Sequence, residues 1–114
     1  MTVARQALGA AGEEQAARWY RRRGYRILDR NWRCRQGELD LVVSWRRTVV
    51  FVEVKTRSSV AFGHPGDAVG PAKQRRIRQL AVAWLRANDA RAAAMRFDVV
   101  AIVAGEIEVI EAAF

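Results

Sequence analysis

Apolar and polar residues alternate along residues 37–57, which predicts two neighbouring β-strands. The first strand places one apolar set on a single face, namely Leu39, Leu41, Val43 and Trp45. Its other face carries Glu38, Asp40, Val42 and Ser44. The second strand has an apolar face of Val50, Val52 and Val54 with Thr56, and a mixed face of Val49, Phe51, Glu53, Lys55 and Arg57. Charged groups therefore interrupt two otherwise apolar strands.

A hairpin with Arg46 and Arg47 at its tip would set Asp40 opposite Glu53. Two like charges in that position destabilise a sheet unless a cation compensates them. Mg²⁺ and Mn²⁺ favour carboxylate oxygens and usually bind one or two of them. Lys55 points the same way as Glu53 and would polarise a metal-bound water or neutralise developing phosphate charge.

Two other interpretations of these strands stay open. In the first, Glu38 and Lys55 form an ordinary cross-strand ion pair while Asp40 and Glu53 face solvent. In the second, the register shifts by one residue, because Arg-Arg is not a favoured two-residue turn. Asp40 would then lie opposite a side chain that faces the other way.

The remaining pattern predicts one domain over residues 1–114, a mixed sheet with helices packed on it in the order α-β-β-β-α-β-β. A helix over residues 4–23 ends near a glycine, and a strand follows over 25–35. Loop residues fill 58–70, and a helix runs over 71–88 from a first-turn proline. Strands over 96–103 and 106–110 complete the chain. The connection through the second helix is long enough to make the strands on either side of it parallel, in a right-handed strand-helix-strand unit.

The net charge of +8 and the isoelectric point near 11.2 favour an anionic partner, either nucleic acid or an acidic membrane surface. The single cysteine, Cys34, excludes an intramolecular disulfide. A leader segment and a run of about 18 apolar residues are both absent, which favours a cytoplasmic protein without a membrane partner. The single histidine, His64, excludes a zinc site built on several histidines.

Asp40 followed by Glu53-Val54-Lys55 on the next strand resembles the signature of the PD-(D/E)xK nuclease superfamily. A wider ordered set of short motifs surrounds this signature: Gly12-Glu13, Asn31-Trp32-Arg33, Gly37 to Leu41, Phe51 to Arg57, Phe62-Gly63 and Arg96 to Val100. In this set the chain is similar to the small bacterial YraN-type family, which is itself likened to archaeal Holliday-junction resolvases. Leu39 stands where the superfamily has its proline. The resemblance implies a restriction-endonuclease-like α/β fold and a Mg²⁺- or Mn²⁺-dependent endonuclease acting on DNA, including branched or structured DNA.

On this resemblance the catalytic residues are Asp40, Glu53 and Lys55, and the metal ligands are Asp40 and Glu53 with Glu38 and Glu13. Glu13 could equally be a solvated helix residue, and its neighbour Glu14 is set aside. Residues expected to contact the phosphate backbone are basic or amide side chains, most of them on the second helix: Arg57, Lys73, Gln74, Arg75, Arg76 and Arg78. A solvated charge run is the alternative for that helix. Asp98 is expected either at an edge of the sheet or in a structural ion pair.

The sequence is compatible with three functions. The first is a metal-dependent endonuclease, which explains the opposed acids, the lysine and the basic helices together. The second is a nucleic-acid-binding module with the nuclease fold and little or no catalysis. The third is a structural subunit of a larger complex. The sequence does not decide between DNA and RNA. It also leaves the oligomeric state open, with a homodimer as one option.

Overall fold

A computed structural model describes residues 3–58 and 69–114. The order of elements is the predicted α-β-β-β-α-β-β. The bounds are α1 Val3–Arg22, β1 Arg26–Cys34, β2 Gly37–Trp45, β3 Thr48–Arg57, α2 Pro71–Ala87, β4 Ala94–Val103 and β5 Glu106–Ile110. The predicted loop at 58–70, with His64 and the Phe62-Gly63 pair, lies mostly outside the described residues.

The five strands form one sheet in the order β1-β2-β3-β4-β5. All neighbours are antiparallel except β3 and β4, which are parallel because α2 carries the chain back to the starting edge. The predicted mixed sheet is therefore confirmed. Its two central strands bring residues 48–57 and 94–103 side by side.

Each face of the sheet is covered by one helix. Val50 and Val52 of β3 lie in a buried cluster with Ala16, Ala17 and Tyr20 of α1. The alternate β3 residues Val49 and Phe51 lie in a second cluster with α2, which contributes Ile77, Leu80, Ala81 and Trp84. Full burial of a side chain such as valine or phenylalanine stabilises the fold by about 1.5–3 kcal/mol. The alternating pattern of β3 thus builds both halves of the core.

The hairpin tip lies where the sequence places it. Trp45 pairs with Thr48, so Arg46 and Arg47 form a two-residue turn. Arg46 adopts a positive φ of 55°, which a two-residue hairpin requires and which most side chains avoid. Its guanidinium lies 4.5 Å from the Trp45 ring centroid, a cation–π contact that favours this conformation.

The first helix also ends as predicted. Gly24, two residues beyond the end of α1, has a φ of 88°. The amides of Gly24 and Tyr25 donate to carbonyls in the last turn, those of Arg21 and Tyr20. A glycine adopts this conformation without a steric penalty. Within the described part of the chain, neither helix combines the length and apolar content that a membrane span requires.

Candidate functional site

The regular pairing between β2 and β3 runs from Trp45–Thr48 to Leu41–Val52. This register is the predicted one. Asp40 and Glu53 are the residues that directly follow the last pair, Leu41–Val52, on their two strands. Beyond the last pair, the Asp40 carboxylate accepts a hydrogen bond of 2.8 Å from the backbone N–H of Val54. A side chain thus satisfies a β3 amide at the point where the ladder ends, and Asp40 is fixed beside β3.

The predicted alternation of β2 is wrong at this point. Leu39 and Leu41 were expected on one face, but Leu39 joins the cluster under α2 together with Val42, while Leu41 joins the cluster under α1. The neighbouring strand is irregular at the same level, since Asn31 has a positive φ of 51° between the β1 residues that pair with Leu39 and Leu41. The change of facing in β2 at Asp40 therefore coincides with this irregularity of β1.

The four predicted metal ligands lie close enough to act on one another electrostatically. Burial raises the pKa of Asp40 to about 7, and the Glu53 carboxylate contributes to this rise, with smaller contributions from Glu13 and Glu38. The Val54 amide opposes the rise by stabilising the carboxylate. The end of the β2–β3 ladder therefore concentrates negative charge in a partly dry environment.

Two lysines compensate Glu53. Its Oε1 lies 3.3 Å from Nζ of Lys55 and 2.6 Å from Nζ of Lys73. Burial and the neighbouring Lys73 ammonium lower the pKa of Lys55. For Lys73 burial alone would lower the pKa, but the hydrogen bond to the Glu53 carboxylate and its negative charge outweigh this and raise it. Lys73 was predicted as a phosphate contact, whereas the structure places it inside the carboxylate site.

Helix α1 brings Glu13 to the site through a close contact with β3. Gly12 lies against the side chain of Thr56, so that a Cβ at residue 12 would overlap the Thr56 hydroxyl. Burial raises the pKa of Glu13, against a side-chain hydrogen bond with Asn31 that lowers it. Glu14 instead pairs with Arg30 at 2.6 Å, away from Asp40 and Glu53.

Glu38 is not the partner of Lys55. It lies opposite Arg33 of β1, and its Oε2 is 3.4 Å from Nε of that arginine. The alternative of a Glu38–Lys55 cross-strand ion pair is therefore wrong, because β1 supplies the cation and Lys55 pairs with Glu53 on its own strand.

The other predicted phosphate contacts flank the site on α2 and at the end of β3. Arg57, Arg75 and Arg76 are exposed. Arg78 lies over the rings of Phe97 and Phe114, at 4.7 and 5.5 Å from their centroids. Gln74 was expected to point towards the site, but its amide nitrogen donates to the Val69 carbonyl at 2.9 Å. That bond fixes the start of α2.

The donor chemistry of this site fits a hard divalent cation. Carboxylate oxygens are the ligands that Mg²⁺ and Mn²⁺ prefer, and Mg²⁺ often takes only one or two of them. Across residues 3–58 and 69–114, no group of three or more Asp, Glu, His or Cys side chains is placed so that it could hold a metal ion. Asp40 and Glu53 would be the principal ligands, and Glu53 would have to exchange a lysine for the metal.

Comparison with known proteins gives the family. Residues 12–102 match the model of the uncharacterised protein family UPF0102. The chain belongs to this family. UPF0102 proteins of Beutenbergia cavernae and Rhodococcus opacus are 55% and 54% identical to it, over 88% and 87% of this chain and 85% and 84% of the relative. A UPF0102 protein of Nocardia farcinica is 52% identical over 87% of this chain and 78% of the relative.

Two residues of this UPF0102 chain matter to the site in ways that sequence reasoning missed. Asn31 twists β1 and hydrogen-bonds Glu13, and its signal was an asparagine, a residue type that tolerates positive φ, in the middle of a strand. Lys73 was visible only as one of several basic residues. Its contact with Glu53 depends on how α2 packs on the sheet, which local pattern does not reveal.

Proposed function

We propose that this UPF0102 protein is a metal-dependent endonuclease that hydrolyses phosphodiester bonds of DNA. The observation that carries the proposal is the meeting of Asp40, Glu53 and Lys55 at the end of the β2–β3 ladder. Two acids with an adjacent lysine are what metal-assisted phosphodiester hydrolysis needs, and they are the residues through which the chain resembles the PD-(D/E)xK nucleases.

Each residue has a distinct task in this proposal. Asp40 and Glu53 would hold Mg²⁺ or Mn²⁺, with Glu13 and Glu38 as nearby acids. When bound, such an ion lowers the pKa of its water and neutralises phosphate charge. Nζ of Lys55 lies within ion-pair distance of Glu53 and would donate a hydrogen bond to the phosphate as negative charge grows. The Val54 N–H keeps Asp40 in place.

Charge around the site suits a polyanionic substrate. The protein carries a net charge of +8, and exposed arginines lie on α2 beside Lys73. Phosphate contacts of this kind give affinity without reading sequence. We therefore propose nucleic acid as the substrate and DNA as its first candidate, with branched DNA included because of the likeness to junction resolvases.

The test is cleavage of labelled branched, duplex and single-stranded DNA, with RNA alongside, in Mg²⁺ or Mn²⁺. Asp40→Asn should lower the rate by about 100-fold or more, and Glu53→Gln and Lys55→Ala should each cost about as much as the triple change, since the three act as a unit. Asp89→Asn at the exposed end of α2 and Glu106→Gln in the β4–β5 hairpin are matched controls that should cleave like the parent. Parental cleavage by Asp40→Asn would refute the assignment.

A binding module without turnover is the second candidate, and one observation favours it. Glu53 is already paired with two lysines, so its charge is compensated without a metal. In this case Asp40→Asn and Glu53→Gln should bind DNA in EDTA as well as the parent or better, because each removes negative charge facing phosphate. Cleavage should be absent from the parent as well, while binding still weakens steeply between about 50 and 200 mM salt.

A further inference from the structure

One oxygen of the candidate site holds two cations at once. Oε1 of Glu53 is within 2.6 Å of the Lys73 ammonium and 3.3 Å of the Lys55 ammonium. All three side chains are largely removed from solvent, with exposed fractions of 12% for Glu53, 17% for Lys55 and 33% for Lys73. Two ammonium groups held this close repel each other, so Glu53 is what keeps them together.

Lys73 occupies an unfavourable position for a cation on its own helix. It lies in the first turn of α2, where the helix dipole places partial positive charge, and that turn contains no acidic residue. The ion pair with Glu53 offsets both the dipole and the neighbouring Lys55. If Glu53 were taken by another cation, the local field would push the Lys73 ammonium away from the site.

We propose that Lys73 is the built-in counter-cation of the metal site, which holds Glu53 in the metal-free protein and is displaced when a divalent cation binds. This inference rests on the proposed metal-dependent function. Asp40 and Glu53 are balanced by Lys55 and Lys73, and a divalent ion added to this group leaves an excess of positive charge. Lys73 is the group that leaves, because it is more exposed than Lys55 and comes from a separate helix.

The displaced ammonium then joins the exposed basic surface of α2. Arg75 and Arg76 follow it in sequence and are exposed, so a phosphate chain approaching the metal would meet Lys73 beside them. Lys73 thus competes with the metal and assists the nucleic acid. Removal of Lys73 should therefore strengthen metal binding and weaken nucleic-acid binding. Loss of a purely structural ion pair would not produce this combination.

The experiment measures Mn²⁺ binding by electron paramagnetic resonance for the parent and three variants, without nucleic acid. Lys73→Ala should bind Mn²⁺ about tenfold more tightly than the parent, because its direct competitor is gone. Lys73→Arg keeps the ion pair and should restore parental affinity. Arg86→Ala removes the same charge from an exposed position in the last turn of the same helix and should stay within about twofold of the parent. Circular dichroism confirms that each variant is folded.

A second readout is nucleic-acid affinity in Ca²⁺, which occupies carboxylate sites. Here Lys73→Ala should bind duplex DNA more weakly than Arg86→Ala does. If the parent binds Mn²⁺ and Lys73→Ala binds it no better than Arg86→Ala, the counter-cation role is overturned while the proposed function stands. If neither the parent nor Lys73→Ala binds Mn²⁺ even at saturating concentration, the metal-dependent function itself fails, and the inference with it.

Discussion

Two aspartates in this sheet, one fully buried and one partly buried, have opposite surroundings. Asp98 in β4 is fully buried, and both of its oxygens accept hydrogen bonds from Arg96, at 2.9 Å each. The Tyr20 hydroxyl and the Ala112 amide complete its shell, at 2.7 and 3.0 Å. Asp40 in β2 has one backbone donor, from Val54, and faces other carboxylates rather than an arginine.

The two aspartates differ in how their negative charge is compensated. Asp98 connects α1, β4 and the residues after β5 through donors that fully match its charge, so these contacts compensate for the desolvation of its carboxylate. Asp98 also changes the pKa values of its partners. Burial and then the Asp98 charge raise the pKa of Tyr20, and the hydrogen bond to Asp98 raises the pKa of Arg96. At Asp40 burial is combined with neighbouring carboxylates, and we propose that this makes it part of a cation site.

The largest expected effect comes from removing the cation of the structural aspartate. Arg96→Leu would leave Asp98 buried with an uncompensated charge, which should lower the free energy of unfolding by about 3–5 kcal/mol. Urea denaturation at neutral pH measures it. Arg91→Leu, at an exposed position, should change that free energy by no more than about 0.5 kcal/mol. Equal small losses in both variants would mean that the Asp98 network adds little stability.

Removing the charge of Asp40 should have the opposite effect and raise the free energy of unfolding at neutral and alkaline pH. Its pKa in the folded protein lies above the ordinary value of 3.8, so its contribution to stability is fully present below pH 3.8 and is lost as the pH rises to about 7. An asparagine side chain imitates the neutral form of the carboxyl group at every pH. Asp40→Asn should therefore match the parent near about pH 4 and exceed it by about 2 kcal/mol at about pH 8 in metal-free buffer.

Urea denaturation of Asp40→Asn and the parent across this pH range supplies the check. Asp89→Asn is the control, with a difference from the parent that does not grow with pH. A variant that is less stable than the parent at the alkaline end of the range would show that the Asp40 carboxylate is stabilising, as that of Asp98 is.

A smaller effect should follow from the helix contact that brings Glu13 to the site. Gly12→Ala would place a methyl group against the Thr56 hydroxyl and should lower the free energy of unfolding by about 1–2 kcal/mol. Gly9→Ala in the same helix meets open space and should raise it by about 0.5–1 kcal/mol. Thermal unfolding compares the two. Stabilisation by both substitutions would contradict the close approach of α1 to β3.

Sequence reasoning predicted the elements and the β2–β3 register because both depend on local signals. The alternation of β3 and the positions of Gly24 and Pro71 were sufficient for that purpose. It placed Asp40 beside Glu53 for the same reason. It misjudged the facing of Leu39, because the twist at Asn31 belongs to a neighbouring strand. It also missed the Lys73–Glu53 contact, which depends on the packing of α2 against the sheet.

The central claim is that Asp40 belongs to a site prepared for a divalent cation, and ¹³C NMR titration of its carboxyl group tests it most directly. Asp40→Asn assigns the signal. In metal-free buffer the Asp40 carboxyl should titrate with a pKa of about 7, and saturating Mg²⁺ should shift that titration to markedly lower pH, because a bound cation favours the carboxylate. Titration near the ordinary value of 3.8, unchanged by Mg²⁺, would contradict the account.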